Sequence, residues 1–214
     1  MSRPVLGSSE ERARPARLDR DRGLVEAARR DPSRFDALYR KYLAQVYSFA
    51  FYELRDHHAA EDATERVFMQ ALAGLPRFEE RVDEFIAART PVSAADAAEF
   101  STFRVWLFRI ARNVVANERR RDRRSPVTPL EAAAELSAPD DAVDRAVARE
   151  AIGAAWRAVE RLPEDRRRAI VLRFVDEMST AEIAAILGRS EGAVRVLLHR
   201  ALRSVADDLR GGLS

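Results

Sequence analysis

Between Thr102 and Arg124 the chain reads TFRVWLFRIARNVVANERRRDRR, and its arginines and amides are spaced to meet an anion. Arg109, Arg112, Asn113 and Arg120 fall at helical spacing on one face, which runs on into the arginine cluster at the end of the stretch. Guanidinium groups supply rigid paired donors that suit phosphates, and an asparagine amide can pair with a base edge, so the chemistry is nucleic-acid contact rather than catalysis. Of 37 basic residues only Lys41 is a lysine, so arginine alone carries little information. The local imbalance carries more: eight arginines in this stretch face only Glu118 and Asp122.

A second constellation lies in TAEIAAILGRSEGAVRVLLHRAL, from Thr180. Ala184 is small where two helices must cross, Gly188 stands at a turn, and Val194 and Leu198 would fasten a second helix onto the first. This spacing predicts a helix-turn-helix. Ser190 is placed to cap the second helix, exposing Glu191, Arg195 and His199 on one side, with Arg200 and Arg203 further along. A third group, His57, His58, Glu61, Asp62 and Glu65, offers imidazoles and carboxylates that could serve a metal-dependent hydrolase. Adjacent histidines diverge on a helix, however, and acidic residues in a first turn stabilise its positive end, so an acidic docking face fits better.

The elements that position these residues read as helices. Glycines and aromatics are few, 47% of residues are hydrophobic, and no alternating segment commits to a sheet. The expected fold is all-α: two small helical domains joined by a flexible acidic linker, the second carrying the helix-turn-helix. Residues 1–18 form a mobile tail, 19–124 the first domain, 125–140 the linker and 141–214 the second domain, with an acidic, alanine-rich insertion at 79–101. Leu24, Val25 and Ala28 predict a short helix that stops at Asp31-Pro32. A broad aromatic face from Phe35 to about Leu54 predicts a longer one, and the next ends at Gly74 with Val67, Phe68, Ala71 and Leu72 inward. Phe103, Leu107, Ile110 and Val114, with Trp106, make the buried stripe of the arginine helix. In the second half Val159, Ala169, Ile170, Leu172, Phe174 and Val175 are expected in the core.

The net charge of +2 is nearly neutral, so attraction for DNA must come from segregated charge. There is no cysteine for disulfides or thiolate metal sites, and no apolar run of membrane-spanning length. The expectation is a cytoplasmic protein that is not an enzyme and needs no cofactor or metal.

The motifs DATERVFMQAL, WLFRIARNVVANERRR and LPEDRRRAIVLRFVDEMSTAEIAAILGRSEGAVRVLLHRAL, in this order, resemble the extracytoplasmic-function sigma factors of the sigma-70 superfamily. The resemblance implies a protein that binds core RNA polymerase and directs it to promoter DNA, with no membrane association and an anti-sigma factor as a further candidate partner. It places Asp62, Glu65, Phe68 and Gln70 in the polymerase-docking motif. It places Trp106, Arg109, Arg112, Asn113, Asn117, Arg119 and Arg120 at the minus-10 element, where the first domain recognises and melts DNA. Ser190, Glu191, Arg195, His199, Arg200 and Arg203 fall in the minus-35 reader. Three positions depart from the family pattern: Arg66 where an acid is usual, Val196-Leu197 where Ser-Arg is common, and the insertion, which replaces a short loop. The helix-turn-helix half also resembles the output domain of response regulators, but the first half shows no alternation of strands and helices of the kind a receiver needs.

The insertion gives the first prediction. Glu79, Glu80, Asp83, Glu84, Asp96 and Glu99 outnumber Arg81 and Arg89, so the segment is unsuited to phosphate contact. Replacing Glu80 to Glu99 with a short Gly-Ser loop is expected to leave core-polymerase binding near wild type while altering promoter opening. Permanganate footprinting on several minus-10 variants checks this; an unchanged melting profile on all of them refutes it.

Overall fold

A computed structural model describes residues 20–79, 100–122 and 153–211. The 1–18 tail, the 125–140 linker and all but the ends of the 79–101 insertion lie outside these residues. Among the described residues the chain is helical with no strand, in two groups of helices.

The first group begins with α1 (Arg22–Arg30), which buries Val25 and Ala28 and ends where Pro32 forces Asp31 into an extended conformation. The Asp31 carboxylate accepts from the Ser33 amide at 3.0 Å, so the chain turns through Pro32–Arg34 directly into α2 (Phe35–Leu54). Arg55, with φ 63°, stops α2, and Asp56 caps α3 (His57–Gly74) by accepting from the Ala59 amide at 2.7 Å. The arginine helix, α4 (Thr102–Asp122), then packs against both α2 and α3. Phe49 and Phe108 meet edge to face at 5.6 Å, and Leu38, Val46, Phe103 and Leu107 are fully enclosed. Trp106 lies partly buried against Phe78 and over Gly74, where a Cβ would come within 3.0 Å of the indole. Phe78 and Phe103 touch edge to face at 5.8 Å, which brings the two ends of the insertion together.

The second group contains α5 (residues 153–160), α6 (Glu164–Ile170), a wide π-turn (Val171–Val175), α7 (Thr180–Leu187) and α8 (Glu191–Gly211). Ser179 and Glu182 form a reciprocal capping box at the start of α7. At its end Gly188 takes φ 68°, a left-handed conformation that suits glycine, and Ala184 beside it is completely buried. Ser190 accepts from the Ala193 amide at 3.2 Å, as expected of the cap of α8. Val194 and Ala201 on α8 face inward.

Two expected core residues are exposed, and Val175 and Ile110 are half-buried. Phe174 is 57% exposed, because the π-turn adds a residue to the helical repeat and rotates this side chain outward. Leu72 is 37% exposed on the open side of α3. The two groups also touch: one apolar cluster runs from α1–α4 through Leu172, Met178, Ile183, Ile186 and Val194.

The turn of the helix-turn-helix yields a matched pair of substitutions. Gly188→Ala is expected to destabilise the chain by about 1–2 kcal/mol, the left-handed penalty for a residue with a Cβ. Gly192, inside α8 with open space around it, is expected to gain up to about 1 kcal/mol on replacement by alanine. Urea unfolding of both variants measures the difference; equal effects would contradict the turn geometry.

Candidate nucleic-acid and polymerase interfaces

Helix α8 presents Arg195, His199, Arg200 and Arg203 as exposed side chains. Glu191, expected beside them on the open face, is instead only 7% exposed. Its carboxylate lies 3.0 Å from Arg195 Nη2, one turn along, and so orients that guanidinium rather than facing outward alone. Ser190 is exposed and spent on the helix cap.

On α4 the predicted residues divide. Asn113, Asn117 and Arg120 are exposed, with Arg120 donating to the Asn117 side-chain oxygen at 3.0 Å. Arg109 donates twice to the Ala185 carbonyl, at 3.2 and 2.8 Å, and Arg112 donates to the Ile186 carbonyl at 2.7 Å. These are carbonyls of the last turn of α7, which lacks intrahelical donors. Gly188 and Arg189 both direct their amides to Ala184 instead, leaving the next two carbonyls to the arginines. Arg119 reaches the Glu53 carbonyl at 3.1 and 2.7 Å, and its guanidinium lies 3.0 Å from the Glu53 carboxylate and 3.1 Å from that of Glu164.

On α3, Asp62, Glu65 and Gln70 are exposed, whereas Phe68 is buried against Phe35 and Tyr39, so it shapes the surface from beneath. A groove of about 360 Å³ runs beside them, lined by Tyr39, Leu43, Tyr47, Met69 and Leu72, with Glu61 and Glu65 on its rim. Arg66 bridges the acidic row to α4. It pairs with Glu118 on α4 and lies 3.6 Å from Asp62, which accounts for a cation at a position where the family usually carries an acid. His57 bonds through Nδ1 to the Tyr47 hydroxyl at 2.7 Å, and His58 points separately toward Glu61.

Sequence reasoning missed a buried polar junction between the two helical groups. Arg104 donates to both carboxylate oxygens of Glu182, through Nε at 2.8 Å and through Nη2, and both side chains are out of solvent. Arg168 on α6 grips Glu53 on α2 in the same two-pronged way, at 3.1 and 2.9 Å. Nearby, burial alone would raise the Asp21 carboxyl, but hydrogen bonds from Lys41, Ser101 and Tyr42 together hold it below the ordinary range. The signal for Arg104 was present: it sits between Phe103 and Val105 on the side of α4 that the apolar stripe occupies.

Residues 38–87 match the family described as Sigma-70 region 2, and residues 152–205 match Sigma-70, region 4. The RNA polymerase sigma-H factor of Pseudomonas aeruginosa is 30% identical over 87% of this chain and 92% of its own length. The chain belongs to the ECF RNA polymerase sigma factors. Among other members of that family, BldN of Streptomyces coelicolor is 32% identical over 87% of this chain, which spans 66% of BldN. SigF of Caulobacter vibrioides is 34% identical over 67% of this chain and 77% of its own. The fold matches two solved structures, each with a TM-score of 0.59. One is CnrH in complex with the cytosolic domain of CnrY, at 23% identity over 90% of this chain and 99% of that one. The other is the sigma factor RpoE with the anti-sigma factor NepR from Bartonella quintana, at 24% identity over 82% and 96%. A sigma factor serves by directing RNA polymerase to promoters. No described helix is long and apolar enough to cross a membrane.

Asp176, in the loop before α7, supplies a pH test. It is fully buried and neither carboxylate oxygen has a hydrogen-bond partner among the described residues. Desolvation pushes its carboxyl well above the ordinary value, against a smaller opposing effect of Arg104. The folded chain therefore holds this proton more tightly than the unfolded chain. The associated stability is present below the ordinary carboxylate pKa and is lost as pH rises through the raised one. Asp176→Asn is expected to flatten that slope and to be more stable than wild type at neutral pH. Denaturation of both proteins across a pH series checks the sign; a variant less stable at neutral pH overturns it.

Proposed function

We propose that this sigma factor divides promoter recognition between its two helical groups. The first domain, 19–124, engages and opens the minus-10 element with the α4 face formed by Arg109, Arg112, Asn113, Asn117 and Arg120. The second, 141–214, reads the minus-35 element with Arg195, His199 and Arg200 of α8, while Arg203 holds phosphate. The observation that carries this reading is the exposed cationic row of α8, set on a capped helix-turn-helix whose turn and crossing residues are in place. Asp62, Glu65 and Gln70 form the contact with core RNA polymerase, supported by their exposure on α3, where Glu65 lines the groove. The work is done in the cytoplasm without catalysis by this chain, and an anti-sigma factor is the natural regulator for such a protein. Trp106, partly buried against Gly74 and Phe78, steadies α4 and offers its remaining edge to the opened strand.

Run-off transcription with purified core polymerase on a promoter library tests the reading as a whole; absence of initiation from every promoter would refute it. Within it, Arg195→Ala is expected to relax preference at the upstream element, at a cost of about 1–3 kcal/mol if a base edge is contacted. Arg203→Ala should weaken all sequences alike and lower the salt dependence of binding. Equal loss on every upstream sequence from Arg195→Ala would reassign that residue to a phosphate.

A further inference from the structure

Helix α8 carries an exposed apolar side chain at the centre of a face whose other members are small or cationic. We propose that this side chain, Val196, reads a thymine in the major groove of the minus-35 element by packing against its 5-methyl group. The contact deepens the assignment of α8 to that element and rests on it.

The placement follows from the helical repeat. At about 100° per residue, Gly192, Ala193, His199, Arg200 and Arg203 all fall within about 60° of Val196 around the helix axis, and all are exposed. Val194, Leu198 and Ala201, which fasten α8 to the protein, lie on the opposite side. Val196 is 49% exposed and belongs to neither buried cluster. Leu202, the other exposed large apolar residue of α8, lies about 120° away from it. A β-branched residue lowers helix propensity, and here it adds nothing to the core, so the fold alone does not call for a valine at this position.

The chemistry of the groove does. A thymine presents a methyl group there beside its carbonyl oxygen, and the methyl is the apolar feature that marks this base. A valine side chain offers neither donor nor acceptor. It gains from a methyl group and loses over a cytosine, whose N4 amine it would cover without pairing. Gly192 and Ala193 let the first turns of α8 come close to the base edges, since Gly192 has no side chain and open space around it. His199, Arg200 and Arg203 continue the same face, so cations hold the helix in place beyond the apolar contact. Arg195 stands to one side, about 100° round the axis, with Glu191 3.0 Å from its guanidinium. Leu197, about 100° the other way, is half-buried, so Val196 is the member of the pair presented outward.

The test uses the full chain bound to core RNA polymerase and a promoter on which it initiates. Each thymine of the upstream element, on either strand, is replaced singly by deoxyuridine, which lacks only the methyl group and keeps the same base pairing. One such replacement is expected to weaken holoenzyme binding about fourfold, the worth of one buried methyl group. With Val196→Ala, the thymine duplex should bind about as weakly as its deoxyuridine counterpart does to wild type, and the replacement should have no further effect. The side chain is exposed, so this variant is expected to keep the wild-type unfolding midpoint. An upstream element with no thymine sensitive to the replacement, or a sensitivity that persists unchanged in Val196→Ala, overturns the methyl contact while base preference elsewhere in the element survives. Holoenzyme binding indifferent to every base change in the upstream element instead removes α8 from that element, and the methyl contact with it, so the two assignments fail with different signatures.

Discussion

The contact on which the arrangement turns is the buried pair between Arg104 and Glu182. Glu182 has two duties: it closes the capping box that starts α7, and it neutralises an arginine that reaches out from the first domain. The same carboxylate therefore fixes where the helix-turn-helix begins and where it sits relative to α4. A charge pair of this kind contributes less net stability than its geometry suggests, because both partners lose water, but it defines one docking register among many. An apolar contact between the same helices could slide; a two-pronged guanidinium–carboxylate contact cannot slide without stranding a charge.

Much of the fold was legible because the local signals agreed. Asp31-Pro32, Asp56 and Gly188 mark helix boundaries by their own conformational preferences, and the structure ends or starts helices at each. The apolar stripe of α4 was equally plain. Phe174 was misread because a π-turn changes the repeat on which the inward assignment depends, and nothing in VLRFV announces the extra residue. Glu191 was misplaced for a different reason: its i+4 arginine offered a partner that let the carboxylate lie back against the protein.

The candidate site was legible as residue types more than as contacts. The arginines of α4 were visible, yet what Arg104, Arg109 and Arg112 hold in the chain alone is set by residues more than seventy positions away, beyond the reach of any periodicity. Arginine suits such reuse. Its planar fork can grip a carboxylate, a main-chain oxygen or a phosphate with little change of geometry. Arg104, Arg109 and Arg119, spread along one helix, show that buried pairing, carbonyl capping and ion-pair sharing draw on the same group.

The cluster around Asp21 has a consequence for covalent chemistry. Lys41 is the single lysine in the sequence, and its amine is engaged with the buried Asp21 carboxylate, which also takes the Tyr42 and Ser101 hydroxyls. Any reagent or enzyme that acylates lysine side chains therefore has one lysine to act on, where the start of α1 meets the residue just before α4. Acylation would erase the only ammonium among the side chains and leave a carboxylate in the interior with its cation removed. Lysine modification, diffuse on most proteins, is confined on this chain to the seam between its first and fourth helices.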